Sequence, residues 1–329
     1  MLPDRKSGLV KYILLAGKLI VTAACFGYVL RQLNTSDTFR ALSTVDFRWV
    51  VFGVVAATGQ IPLLAVRLQS IVQTLAPRPA HLTFIAVTAL TAIYSLFAQV
   101  LPTPAGEGIR AWMLTRFGYG WRRGLTSVMI DRGVGVLTLC AFTFVILLLP
   151  SALTALAGHR ELVILVFGAA LIVGGLALAL TPRIAALLQQ WRYSRWIGSF
   201  AIDTRRVLLG PYATRIFGTS CLIHVLTILV VWSVSRAEGL MLSVPDCAIL
   251  FTVMVGVVLV PISVSGWGLR EFAVVSLLGS HGVAPERAFL FSLCFGLVFI
   301  LSALPGVVVY LLYPLPARSA VTDALKSSL

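Results

Sequence analysis

The sequence has 329 residues, of which 59% are hydrophobic and 12% are charged, and its mean hydropathy is +0.97. This composition excludes a soluble globular domain. The formal net charge is +14, and the positions of the basic residues relative to the apolar stretches indicate orientation in a membrane. The stretches approach the ~20 residues that cross a bilayer as helix, and none alternates like a barrel strand. We expect an all-α polytopic helical bundle, one integral membrane domain over residues 1–329, without a cofactor.

The cysteines and histidines give no sign of a metal site. The five cysteines and four histidines lie singly, with no CxxC and no histidine at ligand spacing, so we predict no metal ion. Only His224 lies in the middle of an apolar span. It either packs through a hydrogen bond to a neighbouring helix or acts as a proton relay.

Two apolar segments open the chain. Basic residues precede the first, 12–30, and no convincing cleavage site follows, so we interpret it as an uncleaved signal anchor. The second, Trp49 to Val66, contains Gln60-Ile61-Pro62, where an amide and a kink either pack against another helix or line a path. A polar stretch that begins at Arg67 is expected to connect it to the third apolar helix, His81 to Leu101.

The third helix ends in an interrupted motif, LPTPAGEGIRAWML at 101–114, and a second copy, VPISVSGWGLREFAVV, stands at 260–275. Each copy reads apolar helix, proline, small residues, then Gly-Ile-Arg or Gly-Leu-Arg at the start of a new helical pattern. Broken hydrophobic segments in corresponding places of two halves are the best sequence indication of a transporter's substrate site. The two copies therefore give our candidate site.

Five further apolar segments follow, near 125–150, 162–180, 216–235, 247–260 and 288–312. We divide the bundle into two halves, about 12–180 and 213–313, joined by the basic segment 181–212. Its arginines alternate with aromatic rings, a composition typical of an amphipathic helix on an anionic leaflet. RNA binding could use the same residues, but we expect no nucleic-acid partner.

The distribution of basic residues favours re-entrant hairpins. If all eight apolar helices crossed fully, the arginine-rich 181–215 connection would face outward, against the positive-inside rule. If 84–122 and 247–283 are instead hairpins that enter and leave on opposite sides, seventeen Lys and Arg residues lie in the cytoplasm and seven outside. We therefore predict six to eight spans with two inverted Pro/Gly-broken re-entrant hairpins and both termini inside.

Each hairpin tip combines a helix N-terminus with an arginine, which is a favourable arrangement for an anion such as phosphate. The alternative is that the breaks are ordinary helix ends. Glu107 and Glu271 are expected to be counterions to the arginines, with a protonatable coupling group as the alternative. Asp131 and Arg132, neighbours on one helix, should pair with other elements.

The motifs, together with the Asp131-Arg132 pair, resemble the lysylphosphatidylglycerol synthase transmembrane-region family, also called flippase-like, over residues 12–313. The resemblance implies translocation of a polar lipid, such as aminoacyl-phosphatidylglycerol or a polyprenyl-phosphate lipid, between leaflets. The synthase members carry a soluble aminoacyl-transfer domain, whereas this sequence ends at Leu329, so we expect a stand-alone member without synthase activity. The candidate substrate-binding residues are Pro102, Gly106, Glu107, Arg110, Asp131, Arg132, Pro261, Gly266, Gly268, Arg270 and Glu271.

The sequence thus predicts a lipid flippase or transporter, and not an enzyme, in a bacterial-type inner membrane. Its partner would be an anionic or aminoacylated lipid, and self-association is left open. An intramembrane enzyme acting on a lipid phosphate and a membrane accessory or scaffold subunit are the alternatives. No paired-aspartate metal motif, Ser/His dyad or H-E-x-x-H supports the enzyme, and no P-loop indicates an ATP-driven step.

Overall fold

A computed structural model describes residues 40–75, 82–101, 103–149, 160–190, 194–259 and 266–313, together with 25, 27–29, 31 and 33. Within these ranges there are eleven helices of 11 to 31 residues and no strand, so the predicted all-α membrane bundle is confirmed. The predicted signal anchor lies almost entirely outside the described residues. The helices are α1 (Phe47–Thr58), α2 (Gln60–Leu75), α3 (Phe84–Val100), α4 (Thr103–Thr115), α5 (Trp121–Leu147), α6 (Arg160–Gln190), α7 (Arg195–Leu208), α8 (Ala213–Ala237), α9 (Val244–Leu259), α10 (Leu269–Gly279) and α11 (Pro285–Leu312).

Within the described ranges, five segments are long and apolar enough to cross a membrane: α1 with α2, then α5, α6, α8 and α11. Helices α1 and α2 form one span, Phe47–Leu75, with Gly59 between them. Pro62 lies in the first turn of α2, where its missing N–H leaves no helical hydrogen bond unmade. The proline therefore does not break the span.

One sequence prediction at this span is wrong. Arg67 was expected to begin a polar connection, but α2 continues to Leu75 and Arg67 is buried inside the bundle at 5% exposure. A prediction from hydropathy places the end of a span at an arginine, because an unpaired charge is costly in an apolar medium. Here the charge is compensated by a distant residue, which a sequence window cannot detect.

Each interrupted motif forms a pair of short helices. Helix α4 packs against α3, and a Cβ at Gly106 would lie 3.7 Å from the Cα of Ala98 and 3.9 Å from the ring of Tyr94. With 17 and 13 residues, α3 and α4 are about 26 and 20 Å long, shorter than the ~30 Å apolar thickness of a bilayer. Helices α9 and α10, with 16 and 11 residues, are shorter still.

The second break is shaped by two glycines. Gly266 and Gly268 both have φ near +81°, a region that side-chain-bearing residues rarely adopt. A Cβ at Gly266 would also lie only 2.5 Å from the side chain of Val258. The turn therefore needs glycine at 266 both for its backbone conformation and for its close packing on α9.

The basic connection is shorter than predicted. Helix α6 does not end at Leu180 but continues through Pro182 to Gln190, and the separate amphipathic helix α7 packs against it. Gly198 and Val207 are the buried residues of α7, while Arg205 and Arg206 are exposed. A proline within a helix removes one hydrogen bond but need not end it, which explains the misplaced boundary.

Helix α11 packs against both halves of the bundle. It contacts α1 and α3 on one side and α10 on the other. Its approach to α3 is close at Gly306, where a Cβ would collide with the carbonyl of Ala92. The same helix therefore borders both interrupted motifs.

Candidate functional site

A buried ion network joins α2, α4 and α5 near the first motif. Arg67 donates from Nε to Asp131 Oδ1 at 2.7 Å and from Nη2 to Oδ2 at 3.1 Å, while Arg110 donates from Nη1 to Oδ2 at 2.7 Å. Arg67 also donates to the hydroxyl of Ser220 on α8 at 3.2 Å. Arg67, Arg110 and Asp131 are no more than 5% exposed. One carboxylate therefore fixes two guanidinium groups within the bundle.

A second group lies beside this network. The Tyr94 hydroxyl on α3 donates to Glu107 Oε1 at 2.6 Å. Arg132 donates from Nε to the same Glu107 oxygen and from Nη2 to the Tyr94 oxygen. The guanidinium of Arg110 lies over the Tyr94 ring, 4.6 Å from its centre, within cation–π range. Tyr94 thus connects the two ion-paired groups.

Both groups border a cavity of about 220 Å³ enclosed by α1–α5 and α11. Arg67, Arg110, Asp131 and Arg132 contribute its charged lining, and Gln60 and Gln99 contribute amides. The remaining lining residues are Ala57, Ile61, Leu64, Tyr94, Ser95, Ala98, Phe299 and Ser302. The side chain of Arg132 is 47% exposed, so the charged lining continues from the buried network to the surface.

Several donors at this cavity have no partner. Among the described residues, Nε and Nη2 of Arg110 and Nε2 of Gln60 are buried without a hydrogen bond. A buried donor without an acceptor costs roughly 1–3 kcal/mol, more when it is charged. Within the described part of the chain, the three arginines pair with two carboxylates, Asp131 and Glu107, which leaves one positive charge uncompensated when all five are ionised. The arrangement is therefore suited to receiving an anion with several acceptor oxygens.

In the second motif the positive and negative charges are equal in number. Arg270 donates from Nη2 and Nε to Glu271 Oε1, at 2.6 and 3.1 Å, and from Nε to Ser292 Oγ at 3.2 Å. The backbone N–H of Gly268 donates to Glu271 Oε2 at 2.6 Å, which caps the start of α10. Glu271 is fully buried, and each charge of the pair has the other as partner. The carboxylate of Glu271 therefore neutralises Arg270 locally.

Helix α11 connects the surroundings of the two motifs. The guanidinium of Arg270 lies 4.7 Å from the ring centre of Trp267 and 5.8 Å from that of Phe295. The rings of Phe295 and Phe299 are 4.9 Å apart, and Phe299 lines the Arg110 cavity. An aromatic pair thus lies between the second motif and the cavity of the first.

The structure brings together some of the predicted site residues and separates others. Glu107, Arg110, Asp131 and Arg132 form one cluster, with Gly106 packed beside it, whereas Gly266, Gly268, Arg270 and Glu271 form another. Pro102 and Pro261 lie outside the described residues. As predicted, Asp131 and Arg132 pair with other elements, and Glu271 is the counterion of the adjacent Arg270. Glu107 differs from the prediction, because its ion-pair partner is Arg132 and the adjacent Arg110 pairs with Asp131.

Sequence reasoning missed four contributors to the first cluster: Arg67, Tyr94, Ser220 and Gln99. A buried charge in an apolar helix is a signal for Arg67, because such residues need a partner. Tyr94 and Ser220 carry no comparable signal, since tyrosine and serine are common in membrane helices. His224 hydrogen-bonds to Thr138 and the Gly135 carbonyl and is not among the residues that line the cavity, which agrees with the packing alternative.

Comparison with known proteins gives one family. The family model described as the lysylphosphatidylglycerol synthase TM region matches residues 15–306, which include both interrupted motifs and every residue of the two clusters. None of the curated proteins matches the chain. Since the family model covers most of the sequence, this multi-pass membrane protein belongs to the lysylphosphatidylglycerol synthase transmembrane-region family.

Proposed function

We propose that this protein moves a phosphate-bearing polar lipid between the leaflets of a membrane, with the headgroup held in the Arg110 cavity. The single observation that carries the proposal is the buried guanidinium of Arg110, with Nε and Nη2 unpartnered among the described residues at a cavity of about 220 Å³. Family membership supports a function connected with membrane lipids. The half-exposed Arg132 at the edge of the cavity would meet an incoming headgroup first.

Arg110 is well placed to bind phosphate. Asp131 holds one of its nitrogens at 2.7 Å, and the Tyr94 ring supports its face, so the guanidinium is oriented before a ligand arrives. The free Nε and Nη2 belong to a planar group whose donors match two oxygens of a phosphate. Apolar residues such as Ile61, Leu64 and Phe299 complete the lining and favour an amphiphilic ligand.

The two interrupted motifs would form re-entrant hairpins in this mechanism. Four helices too short to span support that topology, since irregular backbone survives within a bilayer only when it is buried in protein or lines a wet cavity. In the proposed orientation the α3–α4 hairpin opens to the cytoplasm and the α9–α10 hairpin to the other side. A bacterial-type inner membrane suits the lipids that the family name suggests.

The test is a leaflet assay in proteoliposomes with labelled phosphatidylglycerol, lysyl-phosphatidylglycerol and phosphatidylcholine. We expect the protein to move at least one of these lipids faster than empty liposomes do. Arg110→Lys keeps the charge but loses the paired donors, so the rate should fall about tenfold, the factor that corresponds to one charge-assisted hydrogen bond. Arg116→Lys is the matched control, because Arg116 lies just beyond α4 and does not line the cavity.

Three outcomes would contradict the proposal. No transport above the empty liposomes would remove the function itself, and a normal rate in Arg110→Lys would remove the site. Chemical turnover of the labelled lipid in place of transport would favour the alternative of an intramembrane enzyme.

A further inference from the structure

A second cavity, of about 620 Å³, shares no lining residue with the Arg110 cavity. It forms where the end of α2, the Pro182 region of α6 and the end of α7 meet the chain leading into α8. Its lining residues are Thr74, Thr181, Pro182, Ile202, Arg205, Arg206, Leu209, Gly210 and Pro211. The lining thus combines two arginines with mainly apolar side chains.

The positive charge at this cavity is poorly compensated. Among the described residues, Arg206 forms an ion pair only with Asp203, at 3.8 Å, and Arg205 forms none. Burial raises the pKa of the Asp203 carboxyl, while Arg206, Arg122 and Arg123 act in the opposite direction. The first turn of α8 begins just after Pro211 and contains no acidic residue, so the positive end of its dipole adds to the arginines.

The cavity lies beside the ends of two segments that are long and apolar enough to cross a membrane, so we expect it near the lipid headgroups. Arg183 is the first charged residue of α6 after Glu161, and Leu75 ends the span formed by α1 and α2. Leu180, Ile184 and Leu209 are exposed on the flanks of the cavity, where acyl chains could cover them. A soluble anion would use the arginines but would leave these apolar side chains uncovered.

We propose that this cavity is a second lipid site, separate from the Arg110 cavity, that binds the phosphate headgroup of an anionic lipid between Arg205 and Arg206. The acyl chains lie along the exposed apolar side chains of α6 and the end of α7. A lipid bound there would join α2, α6 and α7 at the membrane surface. The site does not depend on transport and would exist whether or not the Arg110 cavity carries a lipid.

Native mass spectrometry of the full chain in a neutral detergent tests the site directly. Phosphatidylglycerol should bind at least about tenfold more tightly than phosphatidylcholine with the same acyl chains, and glycerol phosphate should not compete at equal concentration. Equal binding of the two lipids would overturn the proposal. Displacement by glycerol phosphate would show a site for the free anion and would overturn the assignment to a lipid.

Two double variants locate the site. In a chain that also carries Arg110→Lys, which weakens the other cavity, Arg205→Gln with Arg206→Gln should abolish the preference for phosphatidylglycerol. In the same background, Arg183→Gln with Arg195→Gln removes two exposed charges from outside the cavity and should retain it. Circular dichroism and the elution profile check that both are folded. Should the glutamine pair not fold, Arg205→Lys with Arg206→Lys replaces it, with weakened preference expected. If the cavity variant and the control variant lost the preference for phosphatidylglycerol equally, the effect would be one of general charge, and the proposal of a discrete site would be overturned.

Discussion

Asp131 is the residue on which the first cluster depends. Its two oxygens accept three hydrogen bonds, from Arg67 and Arg110, and all three residues are buried. A buried ion pair is a weak source of stability, but removing one partner leaves the other charge uncompensated. Here a single substitution of Asp131 would leave two guanidinium groups without their carboxylate partner.

We therefore expect Asp131→Asn to destabilise the protein by about 3–5 kcal/mol, the typical cost of breaking a buried pair. Asp203→Asn is the control, because Asp203 meets Arg206 only at 3.8 Å near the surface and should cost about 0–1 kcal/mol. Thermal unfolding in detergent, followed by loss of the monodisperse protein, provides the comparison. Similar melting of the two variants would mean that the Asp131 network is not required for folding.

Arg270 should respond differently from Arg110 because it shares its partner with no other cation. Arg270→Met leaves Glu271 buried without its cation, so stability should fall, and Arg270→Met with Glu271→Gln should restore part of it. Arg110→Met with Asp131→Asn should show no such rescue, since Arg67 then loses its own partner. Double-mutant cycles on the melting temperature measure the rescue at each of the two pairs. Equal rescue at the two motifs would contradict the asymmetry between them.

At the scale of elements, the two interrupted motifs show how a short break becomes a positioned side chain. Helix α4 folds back so that Glu107 and Arg110 reach Tyr94, thirteen and sixteen residues earlier in the chain. The second break turns at Gly266 and Gly268 and then caps α10 with Glu271. In both, the turn sets which residues meet, while the arginine belongs to the helix that follows.

Gly266→Ala tests the second turn. The positive φ and the 2.5 Å approach of a Cβ to Val258 should make the substitution cost about 1–3 kcal/mol, in the range of other strained backbone positions. Adding Val258→Ala should restore only part of the lost stability, because it removes the close contact with the new Cβ but leaves the backbone strain of the positive φ. Gly256→Ala, in helix α9 with nothing near its Cβ, is the control and should be neutral or stabilising by about 1 kcal/mol. A melting temperature for Gly266→Ala equal to that of the control would exclude the strained turn.

At the scale of the whole molecule, the described part of the chain contains five long apolar segments, two pairs of short helices and the amphipathic helix α7. Helix α11 borders both pairs and carries Phe295 and Phe299 between them. The positions of the basic residues then orient the bundle, with α7 on the cytoplasmic side in the proposed topology.

Cysteine labelling tests this orientation. Arg195→Cys at the start of α7 and Ser280→Cys after α10 introduce thiols at exposed positions. The parent should carry Cys221→Ser, because Cys221 is exposed in the native protein. In the hairpin topology a membrane-impermeant maleimide labels Ser280→Cys in intact cells and Arg195→Cys only after permeabilisation. Labelling of both in intact cells would refute the opposed hairpins.

The sequence alone determined the class of the protein and the places where its helices break. High hydropathy, proline and glycine act locally, through solvation and backbone conformation, so the membrane bundle and both interrupted motifs could be predicted from neighbouring residues. The Asp131-Arg132 pair could likewise be singled out, because charge in an apolar helix needs a partner. Only the tertiary structure decided which partners meet. Arg67 joins Asp131 across 64 positions of the chain, and Tyr94 lies between two ion pairs, because packing of α2, α3, α4 and α5 brings together residues that no sequence window contains.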